Sequence, residues 1–220
     1  MSVWAIVAAA GRGDRLGLDR PKAFAALRGR PLLAESLERL EASGWVDAIV
    51  VAAPEDWEEP VVLLAEELGC GKVSSCVTGG PTRAESVRLA LAEVPDDAAV
   101  ALVHDAARPL VTEEVVGRVL EPLGEGWDGG VPGLPLADTV KRVRGEAVVE
   151  TVPRDDLVAV QTPQAFVAPV LRRAAAGGGE ASDCAALVER AGGRVKVVPG
   201  DPRLLKVTEP SDLELVASWL

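Results

Sequence analysis

The sequence predicts an α/β fold in which a mostly parallel β-sheet is covered by helices on both faces. Short apolar runs alternate along the chain with longer segments of helical periodicity, a pattern typical of repeated β–α units. The apolar runs carry almost no charge, as expected for strands that are buried on both faces. Glycines or charged residues follow several of the runs directly, at the sheet edge where such folds bind their ligands.

Four of these units lie in the first half of the chain. Strands are predicted at residues 3–9, 48–53, 72–78 and 98–104. The intervening helices are predicted at residues 31–42, 57–68, 81–93 and 112–120. In a parallel sheet the loops that leave the carboxyl ends of the strands lie on one edge. We therefore expect the loops after residues 9, 78 and 104 to converge on one site.

The second half of the chain interrupts this alternation. Residues 139–144 and 147–152 flank Gly145 and predict two short strands around a tight turn, within a β-arm at about 137–164. The hairpin has too few apolar residues for a central strand, so we expect it to project from the body. Such a hairpin could extend to a second subunit, or it could form an edge of its own sheet, and the pattern fits both. The remaining segments, helices near 167–176, 182–191 and 211–219 and a strand at 194–198, complete a single Rossmann-like domain over residues 1–220.

Composition excludes several function classes. A net charge of −11 over 220 residues argues against non-specific nucleic-acid binding, which needs a cationic surface. No apolar run reaches the length of a membrane helix, and no basic segment leads into an apolar one at the N-terminus, so we expect a cytoplasmic protein. Cys70, Cys76 and Cys184 lack metal-ligand spacing and leave an odd number for disulfides.

The loop after the first predicted strand has the composition of a polyphosphate-binding loop. Gly11 and Gly13 allow backbone amides to approach phosphate oxygens, and Arg15 and Lys22 add positive charge. A Walker loop would end in Gly-Lys-Ser/Thr, and the dinucleotide fingerprint would place a small residue where Leu16 stands. The sequence therefore predicts a nucleotide loop of a different type.

Asp105 is the candidate metal ligand. It follows an apolar strand, and Mg²⁺ typically takes one or two carboxylates and completes its coordination with water and phosphate oxygens. The alternative is that Asp105 caps the next turn or pairs with Arg108. His104 is the only histidine, and we expect a structural role for it.

Two further candidates carry weaker signals. Gly80, with Ser86 in the following helix, forms either a loop that reads a base edge or an ordinary strand-to-helix turn. Lys206 precedes a predicted helix start, where it reaches an anionic substrate or remains on the surface. With one histidine and no supporting cysteine pattern, the sequence does not favour covalent catalysis by a Cys or Ser–His pair. Nucleotidyl transfer needs mainly positioning and charge neutralisation, and the sequence offers residues for both.

In chain order, the motifs resemble those of the 2-C-methyl-D-erythritol 4-phosphate cytidylyltransferases of the non-mevalonate isoprenoid pathway. The resemblance covers nearly the whole chain and rests on Ala9-Ala10-Gly11-x-Gly13-x-Arg15, Pro21-Lys22, Gly79-Gly80 with Arg83-Ala84-x-Ser86-Val87, Val103-His104-Asp105-Ala106-Ala107-Arg108-Pro109, Asp138-Thr139-x-Lys141, Thr162-Pro163-Gln164, Ser182-Asp183 and Lys206-Val207-Thr208. Ala8 stands where the family often has Pro, and Lys22-Ala23-Phe24 replaces its Lys-Gln-Tyr.

The resemblance implies that CTP and 2-C-methyl-D-erythritol 4-phosphate react, with Mg²⁺, to give the CDP-linked methylerythritol and pyrophosphate. It implies catalytic roles for Arg15, Lys22, Asp105 and Lys206, with Asp105 as the metal ligand. The nucleotide would contact Ala9, Ala10, Gly11, Gly13, Gly80, Ser86 and Ala106, and the acceptor Arg108, Thr139, Arg154, Thr162 and Lys206. Thr139 and Arg154 would reach the partner's site in a homodimer formed through the arm.

Other functions remain open at this point. A cytidylyltransferase for another polyol phosphate, such as ribitol 5-phosphate, would share the CTP half of the site. A sugar-acid or molybdopterin nucleotidyltransferase fits the later motifs poorly. A non-catalytic nucleotide-binding module on the same fold has no need for Arg15, Lys22 and Asp105 together.

Overall fold

The computed structural model describes residues 2–179 and 181–220. Its strands are β1 (Val3–Ala8), β2 (Ala26–Leu27), β3 (Arg30–Pro31), β4 (Ala48–Ala53), β5 (Val73–Thr78), β6 (Val100–Asp105), β7 (Gly129–Pro135), β8 (Val140–Arg144), β9 (Ala147–Val152), β10 (Val158–Val160), β11 (Gln164–Val167) and β12 (Val195–Pro199). Its α-helices are α1 (Leu32–Ala42), α2 (Glu58–Glu67), α3 (Arg83–Glu93), α4 (Glu113–Gly124), α5 (Ala168–Ala176), α6 (Cys184–Arg190) and α7 (Pro210–Ser218). Short 3₁₀ helices span Asp14–Leu16 and Lys22–Phe24.

A central sheet has the strand order β10-β7-β11-β6-β1-β4-β5, and β12 also pairs with β7. Strands β6, β1, β4 and β5 are mutually parallel, and β12 is parallel to β7. Strands β10 and β11 are antiparallel to their neighbours. The predicted fold class, a mostly parallel sheet with helices, is confirmed.

Strand β1 illustrates how helices cover both faces of the sheet. Alternate side chains of a strand point to opposite faces. Val7 belongs to a buried cluster with residues of α1, α2 and α4, whereas Ile6 belongs to a second cluster with residues of α3, α5 and α6. All residues of β4 and β6 are buried, which explains why those two strands read as continuous apolar runs. No helix within residues 2–179 and 181–220 is both long and apolar enough to cross a bilayer.

Strand β7 lies inside the sheet but is absent from the sequence-based prediction. Its sequence, GGVPGLP, contains the two residue types that are most depleted in strand interiors. The glycines are required by close neighbours: a Cβ on Gly130 would lie 2.3 Å from the carbonyl oxygen of Val119, and one on Gly129 would lie 2.5 Å from Cδ1 of Phe166. The composition that conceals the strand thus allows α4 and β11 to pack against it.

The predicted arm is a hairpin of β8 and β9, which among the described strands pair only with each other. Gly145 makes the turn with φ of +60°, in the left-handed region that favours glycine. Apart from Val140 and Val152, all residues of the two strands are exposed. The predicted range of about 137–164 is wrong at its C-terminal end, because β10 and the start of β11 already belong to the central sheet.

Candidate active site

The loops after β1, β5 and β6 meet at the carboxyl edge of the sheet, where they line a cleft of about 1070 Å³. This is the convergence that the alternating pattern predicts. The predicted nucleotide and catalytic residues all line this cleft: Ala9, Ala10, Gly11, Gly13, Arg15, Lys22, Gly80, Ser86, Asp105, Ala106 and Lys206.

The loop after β1 folds back so that Gly13 lies against Lys22. Gly13 has φ of +77°, and a Cβ there would lie 2.7 Å from the Cβ of Lys22. The backbone amide of Lys22 donates to the carbonyl of Gly11 at 3.3 Å. The glycines of this loop therefore position the lysine, in addition to exposing backbone amides.

An apolar cluster beneath the cleft anchors two of its cations. Leu16, next to Arg15, and Val207, next to Lys206, are both buried in a cluster that includes residues of β2 and α7. The amide of Val207 also donates to the carbonyl of Ala107 at 2.8 Å. The backbone that carries Arg15 and Lys206 is thus fixed by burial, while both side chains line the cleft.

The loop after β5 packs directly on the loop after β1. A Cβ on Gly79 would lie 2.3 Å from the Cβ of Ala10, so only glycine fits. The hydroxyl of Ser86 accepts from the amide of Gly80 at 3.1 Å and donates to the carbonyl of Thr82 at 2.9 Å. Ser86 is only 3% exposed, and its hydroxyl stabilises the turn at Gly80 through these two hydrogen bonds.

Asp105 lies between two cations. Its Oδ1 accepts from Nε of Arg83 at 2.8 Å, and its Oδ2 accepts from Nζ of Lys206 at 2.7 Å. Burial disfavours the ionised carboxylate, but the charges and hydrogen bonds of Arg83 and Lys206 outweigh it and hold the pKa of Asp105 far below its ordinary value. The alternative pairing with Arg108 is absent from the ion pairs between described residues.

Arg83 is a site residue to which the sequence analysis assigns no role. It opens α3, lines the cleft, and also directs Nη1 toward Sγ of Cys184 at 3.5 Å. Burial lowers its pKa, but the interactions with Asp105 and Cys184 together outweigh burial and raise it, so the guanidinium stays protonated. Arg83 belongs to one of the recognised motifs, yet nothing in its spacing indicates that it turns from α3 toward the end of β6.

Lys22 lies in a positive field. Burial, with the nearby charges of Lys206 and Arg15, lowers its pKa from 10.5 to about 8, although Asp105 and Asp212 act in the opposite direction. A cation whose charged form is disfavoured gains most from an incoming anion. The cleft is therefore prepared for a polyanion, even though the whole chain carries a net charge of −11.

The predicted acceptor residues other than Lys206 do not line this cleft. Thr162 is buried behind Asp105, where its Oγ1 accepts from the Asp105 amide at 3.0 Å. Arg108 donates from Nη1 to the carbonyl of Leu204 at 2.6 Å, and burial lowers its pKa. Thr139 and Arg154 are exposed and flank the hairpin strands, Arg154 donating to the carbonyl of Ala137.

Asp105 is compatible with one contact to a divalent metal. Across the part of the chain that the structure describes, no three His, Cys, Asp or Glu side chains gather into a metal-binding group. Mg²⁺ does not need such a cage, since it is usually held by one or two carboxylates and by substrate phosphates. An ionised carboxylate at the end of β6, facing a cleft with glycine loops, fits that arrangement.

Comparison with known proteins identifies the family. The model of the IspD family, 2-C-methyl-D-erythritol 4-phosphate cytidylyltransferase, matches residues 3–220. The chain belongs to this family. The predicted family and enzyme class are therefore confirmed, and the protein is a cytidylyltransferase.

Individual relatives match over the same length. The chain is 46% identical over 220 residues to the 2-C-methyl-D-erythritol 4-phosphate cytidylyltransferase of Nocardia farcinica, covering 100% of this chain and 94% of the relative. It is 48% identical over 225 residues to that of Saccharopolyspora erythraea, covering 100% of both. The crystal structure of the enzyme from Thermus thermophilus matches with a TM-score of 0.79 and 35% identity, covering 100% of this chain and 98% of that one.

Proposed function

We propose that this cleft transfers the cytidylyl group of CTP to 2-C-methyl-D-erythritol 4-phosphate and releases pyrophosphate, as a step of isoprenoid biosynthesis in the cytoplasm. The observation that carries the proposal is the arrangement around Asp105. Arg83 and Lys206 bind its two oxygens, and Arg15 and Lys22 line the same cleft beside two glycine-containing loops. Membership of the cytidylyltransferase family supports the nucleotide and the acceptor.

The chemistry needs no general base. A phosphate oxygen of the acceptor, already anionic at neutral pH, attacks the α-phosphorus of CTP. The new O–P bond forms as the bond from the α-phosphorus to the bridging oxygen breaks, and pyrophosphate leaves with that electron pair. The barrier lies in bringing two polyanions together and in the charge of the five-coordinate phosphorus. We assign the stabilisation of that charge to Arg15 and Lys22.

Backbone groups would bind the cytidine half. Ala9, Ala10, Gly11 and Gly13 would contact the nucleotide, together with Ala106, whose amide donates to the carbonyl of Ala8 at 3.1 Å. Gly80 would read the cytosine edge through its main chain. Ser86 would act through the turn that it stabilises, because its hydroxyl bonds Gly80 and Thr82.

Asp105 would also hold Mg²⁺ with the phosphates of the nucleotide. When bound, the ion supplies further neutralisation of phosphate charge. Asp105 itself keeps Lys206 oriented in the cleft, through the contact between Nζ and Oδ2 at 2.7 Å.

The acceptor half of the proposed site is completed by a homodimer. Lys206 would bind the acceptor phosphate from within the cleft, with Arg108 and Thr162 behind Asp105. Thr139 and Arg154 do not line the cleft of their own chain. Because they flank an exposed hairpin, we assign them to the site of a partner subunit.

The experiment that tests this function is pyrophosphate release with CTP and Mg²⁺, compared with methylerythritol 4-phosphate, with ribitol 5-phosphate and without acceptor. Turnover with methylerythritol phosphate alone is the expected result. Turnover with ribitol phosphate would keep the CTP site and overturn the acceptor. CTP binding in a calorimeter without turnover would support a non-catalytic module instead.

A further inference from the structure

The only histidine of the chain, His104, is wholly buried directly before Asp105. It does not line the cleft, and the proposed reaction gives it no part. Both ring nitrogens nevertheless contact parts of the acceptor half. Nε2 lies 3.0 Å from the carbonyl oxygen of Arg108, and Nδ1 lies 3.3 Å from Oγ1 of Thr162.

The chemistry of the partners fixes the direction of each hydrogen bond. A carbonyl oxygen only accepts, so Nε2 of His104 carries the proton that it donates to Arg108. Burial lowers the pKa of His104 to about 4; the charge of Asp105 raises it and those of Arg108 and Arg83 lower it. A neutral imidazole carries one ring proton; with that proton on Nε2, Nδ1 accepts from the hydroxyl of Thr162.

Thr162 extends this chain of hydrogen bonds to Asp105. Its Oγ1 accepts from the backbone amide of Asp105 at 3.0 Å while its proton goes to His104. One imidazole therefore connects three points: the turn at Arg108, the hydroxyl of Thr162 and, through it, the backbone at Asp105. Because all three are buried or half-buried, losing one link leaves a polar group without water to replace its partner.

We propose that His104 is a positioning residue for the acceptor substrate. It fixes Thr162 and the Arg108 turn relative to Asp105, and with both nitrogens engaged it does not act as a general base. The proposal rests on the function assigned above, in which Arg108 and Thr162 belong to the acceptor half. It predicts that disturbing His104 weakens use of methylerythritol phosphate far more than binding of CTP.

The first test is a direct measurement on the wild-type protein. Because the chain has one histidine, ¹⁵N-labelled protein without a histidine tag gives a single imidazole signal set. We expect the ring proton on Nε2 and a bare, accepting Nδ1 at pH 7. Substituting Thr162→Val should shift the Nδ1 resonance. A proton on Nδ1 at pH 7 would overturn the proposal.

The second test uses two variants that each keep one half of the imidazole. The amide nitrogen of His104→Gln can replace Nε2 toward Arg108 but leaves Thr162 without an acceptor. The carbonyl oxygen of His104→Asn can replace Nδ1 toward Thr162 but leaves the Arg108 carbonyl without a donor. For both we expect kcat/KM for methylerythritol phosphate to fall about tenfold, with KM for CTP within about twofold of wild type.

Combining each His104 variant with Thr162→Val distinguishes a specific effect on the position of Thr162 from a general loss of stability. Thr162→Val removes the bond to the Asp105 amide in both backgrounds. Its total cost should nevertheless be smaller in His104→Gln, where the bond to position 104 is already lost, than in His104→Asn, which keeps it. Equal losses for both substrates, or additive effects in both pairs, would contradict the proposal. Absence of turnover by wild-type protein would instead remove the proposed function. If the variants fail to fold, the imidazole measurement on wild-type protein still decides the hydrogen-bond directions.

Discussion

The ammonium nitrogen of Lys206 lies 2.7 Å from Oδ2 of Asp105, across 101 positions of sequence. Arg83 takes the other oxygen at 2.8 Å, so two cations share one carboxylate and leave an excess positive charge. Arg15 and Lys22 add to it in the same cleft. This is how a protein with a net charge of −11 can bind two phosphorylated substrates.

Replacing Asp105 tests its role between the cations. Asp105→Asn leaves Arg83 and Lys206 without their anion. Breaking a buried ion pair lowers the free energy of unfolding by about 3–5 kcal/mol. We expect the lower end of this range because the Lys206 side chain is 39% exposed. The melting temperature should fall, turnover should drop, and the Mg²⁺ concentration for half-maximal rate should rise. Differential scanning calorimetry and metal titrations measure these changes. The exposed Asp97→Asn is the control, and an unaltered metal titration would count against the metal role.

Lys22→Ala tests stabilisation of the reacting phosphorus. We expect kcat to fall roughly a hundredfold or more, the scale of one lost transition-state donor. Steady-state kinetics with both substrates saturating gives the value. Lys196→Ala, which removes a surface lysine paired with Glu125, should leave kcat unchanged. An effect of Lys22→Ala confined to KM would be incompatible with this role.

The lowered pKa of Lys22 predicts a pH dependence. As pH rises through about 8, the free enzyme loses this charge, so kcat/KM for CTP should decline. The sign for folding is opposite: a lysine whose pKa is lowered on folding makes the protein more stable as pH rises from about 8 toward 10.5. Rate and urea-unfolding profiles measure both trends. In Lys22→Arg the decline should move to higher pH, and an unmoved decline would assign it to another group.

Mixing two inactive variants tests whether the site is shared between subunits. Lys22→Ala damages the cleft, whereas Arg154→Ala alters a residue that does not line the cleft of its own chain. In mixed dimers one site would hold both native residues, so part of the activity should return. The measurement is turnover of mixtures whose heterodimer content is verified by mass spectrometry. No recovery would favour a site built from one chain.

Gly79→Ala tests the contact between the two glycine-containing loops. The added Cβ would lie 2.3 Å from that of Ala10, so the loops must separate. Overpacking of this kind costs about 1–3 kcal/mol, and we expect a lower melting temperature together with a higher KM for CTP. Gly124→Ala, where a Cβ meets nothing within 4 Å, is the matched control. If both variants behave alike, the contact does not shape the nucleotide site.

The sequence predicted the position of the site better than the partners within it. Asp105 ends β6 and Gly80 follows β5, and the carboxyl ends of parallel strands meet at one edge of the sheet. The bonds of Asp105 to Arg83 and Lys206 depend on side-chain directions set by tertiary packing. No local pattern distinguishes Arg83 from any other arginine in the first turn of a helix.

The sequence-based prediction missed strand β7 and placed the C-terminal limit of the arm wrongly, because both depend on tertiary packing. Val158–Val160 form a short strand whose assignment to the central sheet depends on its partner, residues 133–135 of β7. That partner contains Gly133 and Pro135, residue types that are depleted in strands, and a Cβ on Gly133 would lie 2.9 Å from Cγ1 of Val197. One missed strand therefore moved the boundary of a second element.

The burial of His104 has a consequence for the whole protein. Histidine is the side chain that ordinarily titrates between pH 5 and 8, and this chain has one, with a pKa lowered to about 4. Across mildly acidic conditions no imidazole of the folded protein takes up a proton. Phosphate monoesters gain their second proton near pH 6. A change of rate across that interval would therefore report the ionisation of the phosphate groups of the substrates and not that of a histidine.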